Sequence, residues 1–296
     1  MKQEKFHSDK IFIAIGCCLA AHLLFAVMGA SAKLLSTNHH VAEIAFYRNL
    51  IVFVPMFAFI ILRKKHHLLK TKKPKLIALR AVTGGIGLII TFAAISMLPM
   101  AYATVIFFTS SILTPVLAFF FLKEHIGIHR WSAVIVGMLG VIIIAQPSGE
   151  VSIWGLLFAL TAACIHASIY TILRGLKTES PTTVTFYFIL AGVLIPGMFM
   201  PFVWKPIEFD ELGLFLLVGI SGGSAQMFLA NAYKYAPAAV VTPFAYSALL
   251  WTIMLDIYVW NYDLDFISIF AGASFILAAQ IYIIYREYKN KQMPKT

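Results

Sequence analysis

Arg48 is an arginine that lies inside a long apolar run of the sequence, not beside one. A guanidinium group at membrane depth is costly, so such a residue is a candidate for a functional site. Its planar fork of N–H groups binds a carboxylate or a phosphate through two parallel hydrogen bonds. Two structural explanations stay open: the side chain extends outward to the membrane surface, or it pairs with Glu43. Arg48 is therefore a candidate binding residue for an anionic group.

Two histidines, His22 and His166, lie near the middle of two long apolar runs. Histidine changes its charge near neutral pH, so either residue could act as a proton relay inside a membrane. The alternative is a neutral histidine that hydrogen-bonds across neighbouring helices. Lys33 and Asp256 lie nearer the ends of their runs, where we expect Lys33 to anchor the chain at the interface and Asp256 to meet solvent or a cation.

Patterns for enzyme chemistry are absent from the sequence. The segment Gly84-Gly85-Ile86-Gly87 lacks the Lys-Ser/Thr pair and the preceding strand of a nucleotide-binding loop. The three cysteines, Cys17, Cys18 and Cys164, lie in apolar runs without disulfide or metal-ligand spacing. No paired carboxylates or Ser/His/Asp arrangement lie at a shared depth. We predict no catalytic residue, no bound metal or cofactor, and no enzyme activity.

The elements that must position these residues are membrane-spanning helices. Of the 296 residues, 60% are hydrophobic and 12% are charged, whereas a soluble domain carries about 25% charged residues. A membrane helix needs about 20 apolar residues. Polar, proline and glycine positions divide the sequence into ten such runs. The predicted spans are 11–33, 42–62, 76–97, 101–122, 129–146, 152–174, 182–203, 212–233, 238–260 and 265–285.

The basic residues predict the orientation of these spans. With the N-terminus inside the cell, every lysine and arginine falls on the cytoplasmic side except Lys33, Arg48 and Lys205, as the positive-inside rule requires. The net charge of +10 therefore reflects membrane topology and not a nucleic-acid partner. We predict a multi-pass protein of the cell membrane, in a bacterium the inner membrane, with both termini cytoplasmic.

An internal repeat divides the chain into halves. Pro99, Ala101 and Thr104 recur as Pro237, Ala239 and Thr242, Gly84 and Gly85 recur as Gly222 and Gly223, and Phe46 and Tyr47 recur as Phe186 and Tyr187. Each half holds five spans, and an odd number inverts the second copy in the membrane. The predicted fold is an all-α integral membrane protein with ten transmembrane helices as two inverted five-helix repeats, residues 1–147 and 148–296.

The segment 98–147, LPMAYATVIFFTSSILTPVLAFFFLKEHIGIHRWSAVIVGMLGVIIIAQP, resembles the EamA-type members of the drug/metabolite transporter superfamily. The shared pattern is Leu-Pro before an Ala/Thr-rich helix, Pro115, Glu124, Arg130-Trp131, and the glycines Gly137 and Gly140. Arg48 and Arg80, the latter followed by Gly84, are also similar to the branch of S-adenosylmethionine uptake carriers. The second half departs from the pattern, with Tyr262 at the position of Glu124.

The resemblance implies a central cavity lined by the third and fourth helices of each half. The candidate lining residues there are Tyr102, Gln226, Asn231, Tyr246 and Trp251. Aromatic and amide groups suit a zwitterionic or heterocyclic metabolite better than a bare ion. The alternative role of these groups is to hydrogen-bond helix to helix.

The resulting functional hypothesis is a secondary transporter of a small metabolite that works by alternating access. Uptake of S-adenosylmethionine or an amino-acid-like molecule is the first expectation, with a proton as a candidate coupling ion. Export of amino acids or drugs is the alternative within the class. A non-transporting receptor or assembly subunit is the alternative of another class. The oligomeric state is not predicted.

Overall fold

In a computed structural model of the protein, the described residues are 8–64, 69–122, 128–145, 152–176, 178–236, 241 and 244–292. Over these residues the chain is helical, with short connections and no β-strand. The helices are α1 (Ser8–Leu35), α2 (Val41–Leu62), α3 (Pro74–Met97), α4 (Met100–Leu122), α5 (Ile128–Ala145), α6 (Ile153–Gly175), α7 (Pro181–Gly197), α8 (Met200–Val203), α9 (Leu212–Tyr235), α10 (Ser247–Trp260) and α11 (Phe266–Gln292).

The ten long helices correspond to the ten predicted spans, and α8 is a short addition. The predicted span 182–203 is wrong as one continuous helix, because a turn separates α7 from α8. Pro196 and Pro201 flank this turn, and proline lacks the N–H that continues a helix. The first part of the predicted span 238–260 lies largely outside the described residues, as does Glu124 of the family motif.

Five helices have both the length and the hydropathy to cross a membrane within the described residues: α1, α2, α3, α6 and α9. The other apolar helices contribute shorter described stretches, for example Met100–Thr114 of α4 and Ser247–Trp260 of α10. Such lengths and compositions belong to a multi-pass membrane protein.

The connections lie alternately at two ends of the bundle. At the basic end, Lys72 N–H donates to Glu179 (3.1 Å), and the Lys73 ammonium donates to the Gly175 carbonyl (2.7 Å). These bonds join the loop before α3 to the loop after α6. At the opposite end, the Asn38 amide between α1 and α2 donates to Glu211 beside α9 (2.9 Å). Polar contacts therefore connect the two halves of the chain at both ends.

The two halves pack against each other in a symmetric pattern. Helices α1 to α5 of the first half correspond in order to α6, α7, α9, α10 and α11 of the second. α1 contacts α9, and the equivalent pair, α6 and α3, is also in contact. In the same way α2 contacts α9, and the equivalent pair, α7 and α3, is in contact. α2 also contacts its own equivalent α7, and α5 contacts α11. This pairing is that of two inverted five-helix repeats related by an axis between α2 and α7.

Candidate substrate-binding site

Arg48 lies on α2 with only 2% of its surface exposed. Its Nη1 donates to the Asn49 side-chain oxygen (2.8 Å) and its Nη2 to the Gly222 carbonyl of α9 (3.3 Å). Its Nε has no hydrogen-bond partner among the described residues. The guanidinium therefore lies between the two halves of the chain and keeps one donor available.

Both structural explanations of Arg48 that the sequence left open are wrong. The side chain is buried, so it does not extend to the membrane surface. Glu43 is fully buried and bonds to His39 (2.9 Å) instead of Arg48. The reason is local geometry, because His39 and Glu43 are four residues apart and therefore meet on one side of the chain.

Arg80 lies on α3, in the half of the bundle nearer the basic end. Its guanidinium carbon lies 4.7 Å from the centre of the Phe188 ring of α7. Its Nε and Nη1 are buried and have no hydrogen-bond partner among the described residues.

Phe188 connects the two arginines. Besides Arg80, the guanidinium carbon of Arg48 lies 5.9 Å from the centre of the same ring. An aromatic face attracts a cation within about 6 Å, so both guanidinium groups interact with one ring. This role of Phe188 was not predictable from the sequence, because a phenylalanine in an apolar run is the expected residue there.

The site coincides with the symmetry of the fold. Phe46 and Tyr47 correspond to Phe186 and Tyr187, so the next residues, Arg48 and Phe188, are also equivalent. Each contacts a glycine of the other half: a Cβ atom on Gly84 would lie 2.6 Å from the Phe188 ring, and one on Gly222 would lie 2.8 Å from Arg48 Nε. The repeated glycines therefore leave the space in which these two side chains meet.

The two candidate relay histidines occupy different surroundings. His22 Nδ1 donates to the Cys18 carbonyl of its own helix (2.8 Å), and its ring meets Phe25 edge-on. His166 Nε2 hydrogen-bonds with the Thr91 hydroxyl of α3 (3.3 Å), and its ring meets Phe107 of α4. His166 thus lies at the contact of α3, α4 and α6, whereas the contacts of His22 lie within α1.

The aromatic and amide candidates are distributed over several environments. The Tyr246 ring meets Phe108 edge-on with 5.0 Å between ring centres, and the half-buried Trp251 has an Nε1 without a partner among the described residues. Tyr102 is buried in the first turn of α4. Gln226 is exposed and Asn231 is half-buried on α9. Tyr246 and Trp251 belong to one helical segment, while the other three lie elsewhere on α4 and α9.

Lys33 and Asp256 form a second polar cluster near the opposite end. Lys33 is 5% exposed, donates to the Leu98 carbonyl, and lies 5.2 Å from the ring centre of Trp260. Asp256 has no exposed surface and accepts hydrogen bonds from the N–H groups of Met100 (3.0 Å) and Ala101 (2.7 Å). The expectation that Asp256 meets solvent is therefore wrong, because the side chain is buried and satisfies backbone N–H groups at the α3–α4 connection, while Lys33 satisfies a carbonyl there.

His39 bridges two carboxylates at the opposite end. Its Nδ1 and Nε2 bond to Glu43 (2.9 Å) and Glu211 (2.8 Å). Burial lowers the pKa of His39, but the hydrogen bonds with Glu211 and Glu43 outweigh it, and the net pKa is raised. The bonds from His39 and Asn38 hold the pKa of Glu211 at about 2. His39 also borders a surface cleft of about 430 Å³ between residues 36–40 and 202–205.

The described side chains do not form a metal centre. Among the residues that the structure describes, no three His, Cys, Asp or Glu side chains are grouped as metal ligands would be. The arrangement that can act on a small molecule is instead the buried Arg48 and the half-buried Arg80, whose shielded N–H donors without a partner suit recognition of an anionic group.

Comparison with known families identifies the family to which this chain belongs. The EamA-like transporter family matches residues 12–146 and again residues 153–285, one match for each five-helix repeat. This chain belongs to the EamA-like transporter family. It is accordingly a membrane transporter of small molecules and not an enzyme.

Individual members of the family give further comparisons. An S-adenosylmethionine uptake transporter of Rickettsia bellii is 28% identical over 94% of this chain and 95% of its own length. A pseudopaline exporter of Pseudomonas aeruginosa is 27% identical over 87% of this chain and 91% of its own length. A protein crystal structure with 14% identity has a TM-score of 0.62 over 97% of this chain and all of its own. The last likeness concerns the fold alone.

Proposed function

We propose that this transporter imports an amino-acid-like metabolite, with S-adenosylmethionine as the first candidate, by alternating access around a cavity between its two halves. The observation that carries the proposal is Arg48, a guanidinium buried between the halves with an unpaired Nε. Such a group suits the carboxylate that every amino acid carries. The relatives named as S-adenosylmethionine uptake transporters support this choice of cargo.

The test is uptake of radiolabelled S-adenosylmethionine by proteoliposomes that contain the purified protein. We expect uptake above that of protein-free liposomes. Loss of a charge-assisted hydrogen bond costs at least about tenfold in affinity, so Arg48→Ala should raise KM or lower the rate by that factor. The exposed Arg63→Ala is the matched control and should behave like the wild type. Equal uptake with and without protein would exclude this cargo.

Export of an amino-acid-like compound is the second candidate function. The pseudopaline exporter, similar over most of both chains, favours it. Cells that express the transporter should accumulate labelled substrate if it imports and lose preloaded substrate faster if it exports. Specific binding without net movement in either direction would contradict both import and export of that compound.

The remaining site assignments form part of the same proposal. In addition to Arg48, we assign substrate contacts to Tyr102, Gln226, Asn231, Tyr246 and Trp251. We assign a proton relay to His22 and His166. The unpaired Trp251 Nε1 supports a polar contact with the cargo. The two repeats are assigned to residues 1–147 and 148–296.

The orientation proposed for the protein places the basic end in the cytoplasm of a bacterial cell, with the protein in the inner membrane. Lys70, Lys72, Lys73 and Lys75 lie at this end, and basic loops are retained on the cytoplasmic side. A reporter that is active only in the cytoplasm should be active when fused to either terminus. Activity of a periplasmic reporter at the C-terminus would contradict this orientation.

A further inference from the structure

We propose that Arg48 and Arg80, which both contact the Phe188 ring, together form a carboxylate-binding site, so that a free carboxylate is obligatory in the cargo. The inference rests on the proposed transport of an amino-acid-like metabolite and specifies which part of that metabolite the protein recognises. Arg80 and Phe188 are the new members of the site.

The charge balance is the first support for the site. Arg48 is buried and Arg80 is half-buried with its Nε and Nη1 shielded from solvent, and among the described residues neither forms an ion pair with a carboxylate. The described ion pairs involve His39, Glu43 and Glu211 at the opposite end. A buried charge without a counter-charge is strongly unfavourable. Two such charges at one site are explained if the cargo supplies the anion.

The available hydrogen-bond donors are the second support. Arg48 Nε, Arg80 Nε and Arg80 Nη1 are buried and have no partner among the described residues. A carboxylate offers about four lone-pair positions and accepts bidentate bonds from guanidinium groups. Three unpaired donors on two guanidinium groups therefore match one carboxylate. Phe188 contacts both charged groups but accepts none of these hydrogen bonds.

The position in the bundle is the third support. Arg48 is the eighth residue of α2, which begins at the opposite end, and Arg80 is the seventh of α3, which begins at the basic end. With a rise of 1.5 Å per residue, each lies roughly 10 Å inside its own end. Both guanidinium groups then reach the same ring, so their separation cannot exceed the sum of 5.9 and 4.7 Å. An alternating-access carrier needs such a central site, reachable from either end.

A purely structural role makes a different prediction. If Arg80 only packs on Phe188, its removal affects all ligands alike, whether or not they carry a carboxylate. If Arg80 binds the carboxylate, removing the arginine and removing the carboxylate delete the same interaction. The two changes are then not additive.

The experiment measures ligand binding to the full-length transporter in lipid nanodiscs by isothermal titration. The probes are S-adenosylmethionine, its carboxyl methyl ester, glutamate and inorganic phosphate. The proteins are the wild type, Arg80→Gln, Arg80→Lys and the exposed control Arg63→Gln. Thermal melting of each purified variant establishes that it is folded, and Arg80→Lys keeps the charge if Arg80→Gln does not fold.

The expected result is a loss of at least about tenfold in affinity for S-adenosylmethionine in Arg80→Gln, and a similar loss for the ester in the wild type. The ester should lose no further affinity in Arg80→Gln. Arg80→Lys should give a smaller loss because the charge remains but the planar fork does not, and Arg63→Gln should give none.

Three outcomes separate the inference from the proposed cargo. If glutamate but not S-adenosylmethionine binds in an Arg80-dependent manner, the carboxylate site stands and the first candidate cargo is wrong. Equal losses for acid and ester in Arg80→Gln overturn the site and leave the cargo intact. If inorganic phosphate alone binds, or no carboxylate probe binds the wild type, a carboxylate site is excluded.

Discussion

At the scale of single residues, the protein keeps two guanidinium groups where most membrane proteins have apolar side chains. Arg48 receives partial compensation from Asn49 and from the Gly222 carbonyl, and Arg80 from the ring of Phe188. A cation–π contact is worth about 2 kcal/mol when desolvated, less than the cost of burying a charge. The two arginines therefore lower the stability of the folded protein. Charged residues that a membrane protein keeps at such a cost usually belong to a functional site.

We predict that the stability of the folded protein depends on pH through His39 and Glu211. The folded pKa of His39 lies above 6.5, so its stabilisation is complete below pH 6.5 and is lost as the pH rises through the folded pKa. The folded pKa of Glu211 is about 2, below its usual 4.5, so its stabilisation is present above pH 4.5 and is lost as the pH falls towards 2. The groups facing His39 are Glu43 and Glu211, with Asn38 on Glu211.

Thermal melting of the wild type and His39→Gln tests this pH dependence. The melting temperature of the variant should lie below that of the wild type by a margin that is larger at pH 6 than at pH 9. The exposed Lys70→Gln is the control and should differ little from the wild type at either pH. A margin that stays constant or grows towards pH 9 would show that His39 is not held protonated by the two carboxylates.

At the scale of helices, the start of α4 depends on a side chain from α10. The first N–H groups of a helix have no partner within it, and Asp256 accepts those of Met100 and Ala101. Lys33 of α1 satisfies the neighbouring Leu98 carbonyl. Three helices that are distant in the sequence therefore meet at the α3–α4 connection through two charged side chains.

Removal of Asp256 should destabilise this connection. Asp256→Ala leaves two buried N–H groups unpaired and removes the carboxylate whose charge interacts with Lys33, for a loss of about 2 kcal/mol or more. We expect a lower midpoint of thermal denaturation in detergent for Asp256→Ala. The exposed Asp263→Ala is the control. Equal midpoints for the two variants would mean that Asp256 does not cap α4.

Close packing of α3 and α7 is a second prediction about helices. A methyl group on Gly84 would overlap the Phe188 ring and the Arg80 guanidinium. Gly84→Ala should therefore displace both side chains and lower transport severalfold. Gly213→Ala is the matched control because nothing lies within 4 Å of the added atom. Unchanged transport in Gly84→Ala would show that the positions of Arg80 and Phe188 are not critical.

At the scale of the whole molecule, transport is coupled to a driving force. If His22 and His166 relay protons, the double variant His22→Gln/His166→Gln should transport without dependence on an imposed pH gradient. Proteoliposome uptake with and without the gradient measures this directly, and the two single variants assign the effect. The exposed His40→Gln should retain the dependence. Persistence of the gradient effect in the double variant would remove both histidines from the coupling mechanism.

The fold was predictable from the sequence because each span depends on a local property, about 20 apolar residues in succession. The odd number of spans in each repeat then fixed the inversion of the second half. The break between α7 and α8 was missed because the segment is apolar on both sides of the turn. Its prolines were visible, but a proline near a helix end is compatible with either a continued or an interrupted helix.

The candidate site was only partly predictable. Arg48 is conspicuous because it lies inside an apolar run, whereas Arg80 follows a basic loop and resembles an ordinary topology signal. Phe188 carries no signal in an apolar helix. The burial of Lys33 and Asp256 depends on contacts with residues 65 and about 155 positions away. Such contacts follow from helix packing, which the local sequence does not specify.

The equivalence of Arg48 and Phe188 bears on the history of the chain. A duplicated gene begins with identical copies, so the two positions began with the same side chain on either side of the symmetry axis. Two arginines there would repel each other, and two phenylalanines would offer no donor to a carboxylate. A site that combines a guanidinium with an aromatic face could arise only after the two copies diverged. Loss of internal identity was thus a condition for the proposed binding site.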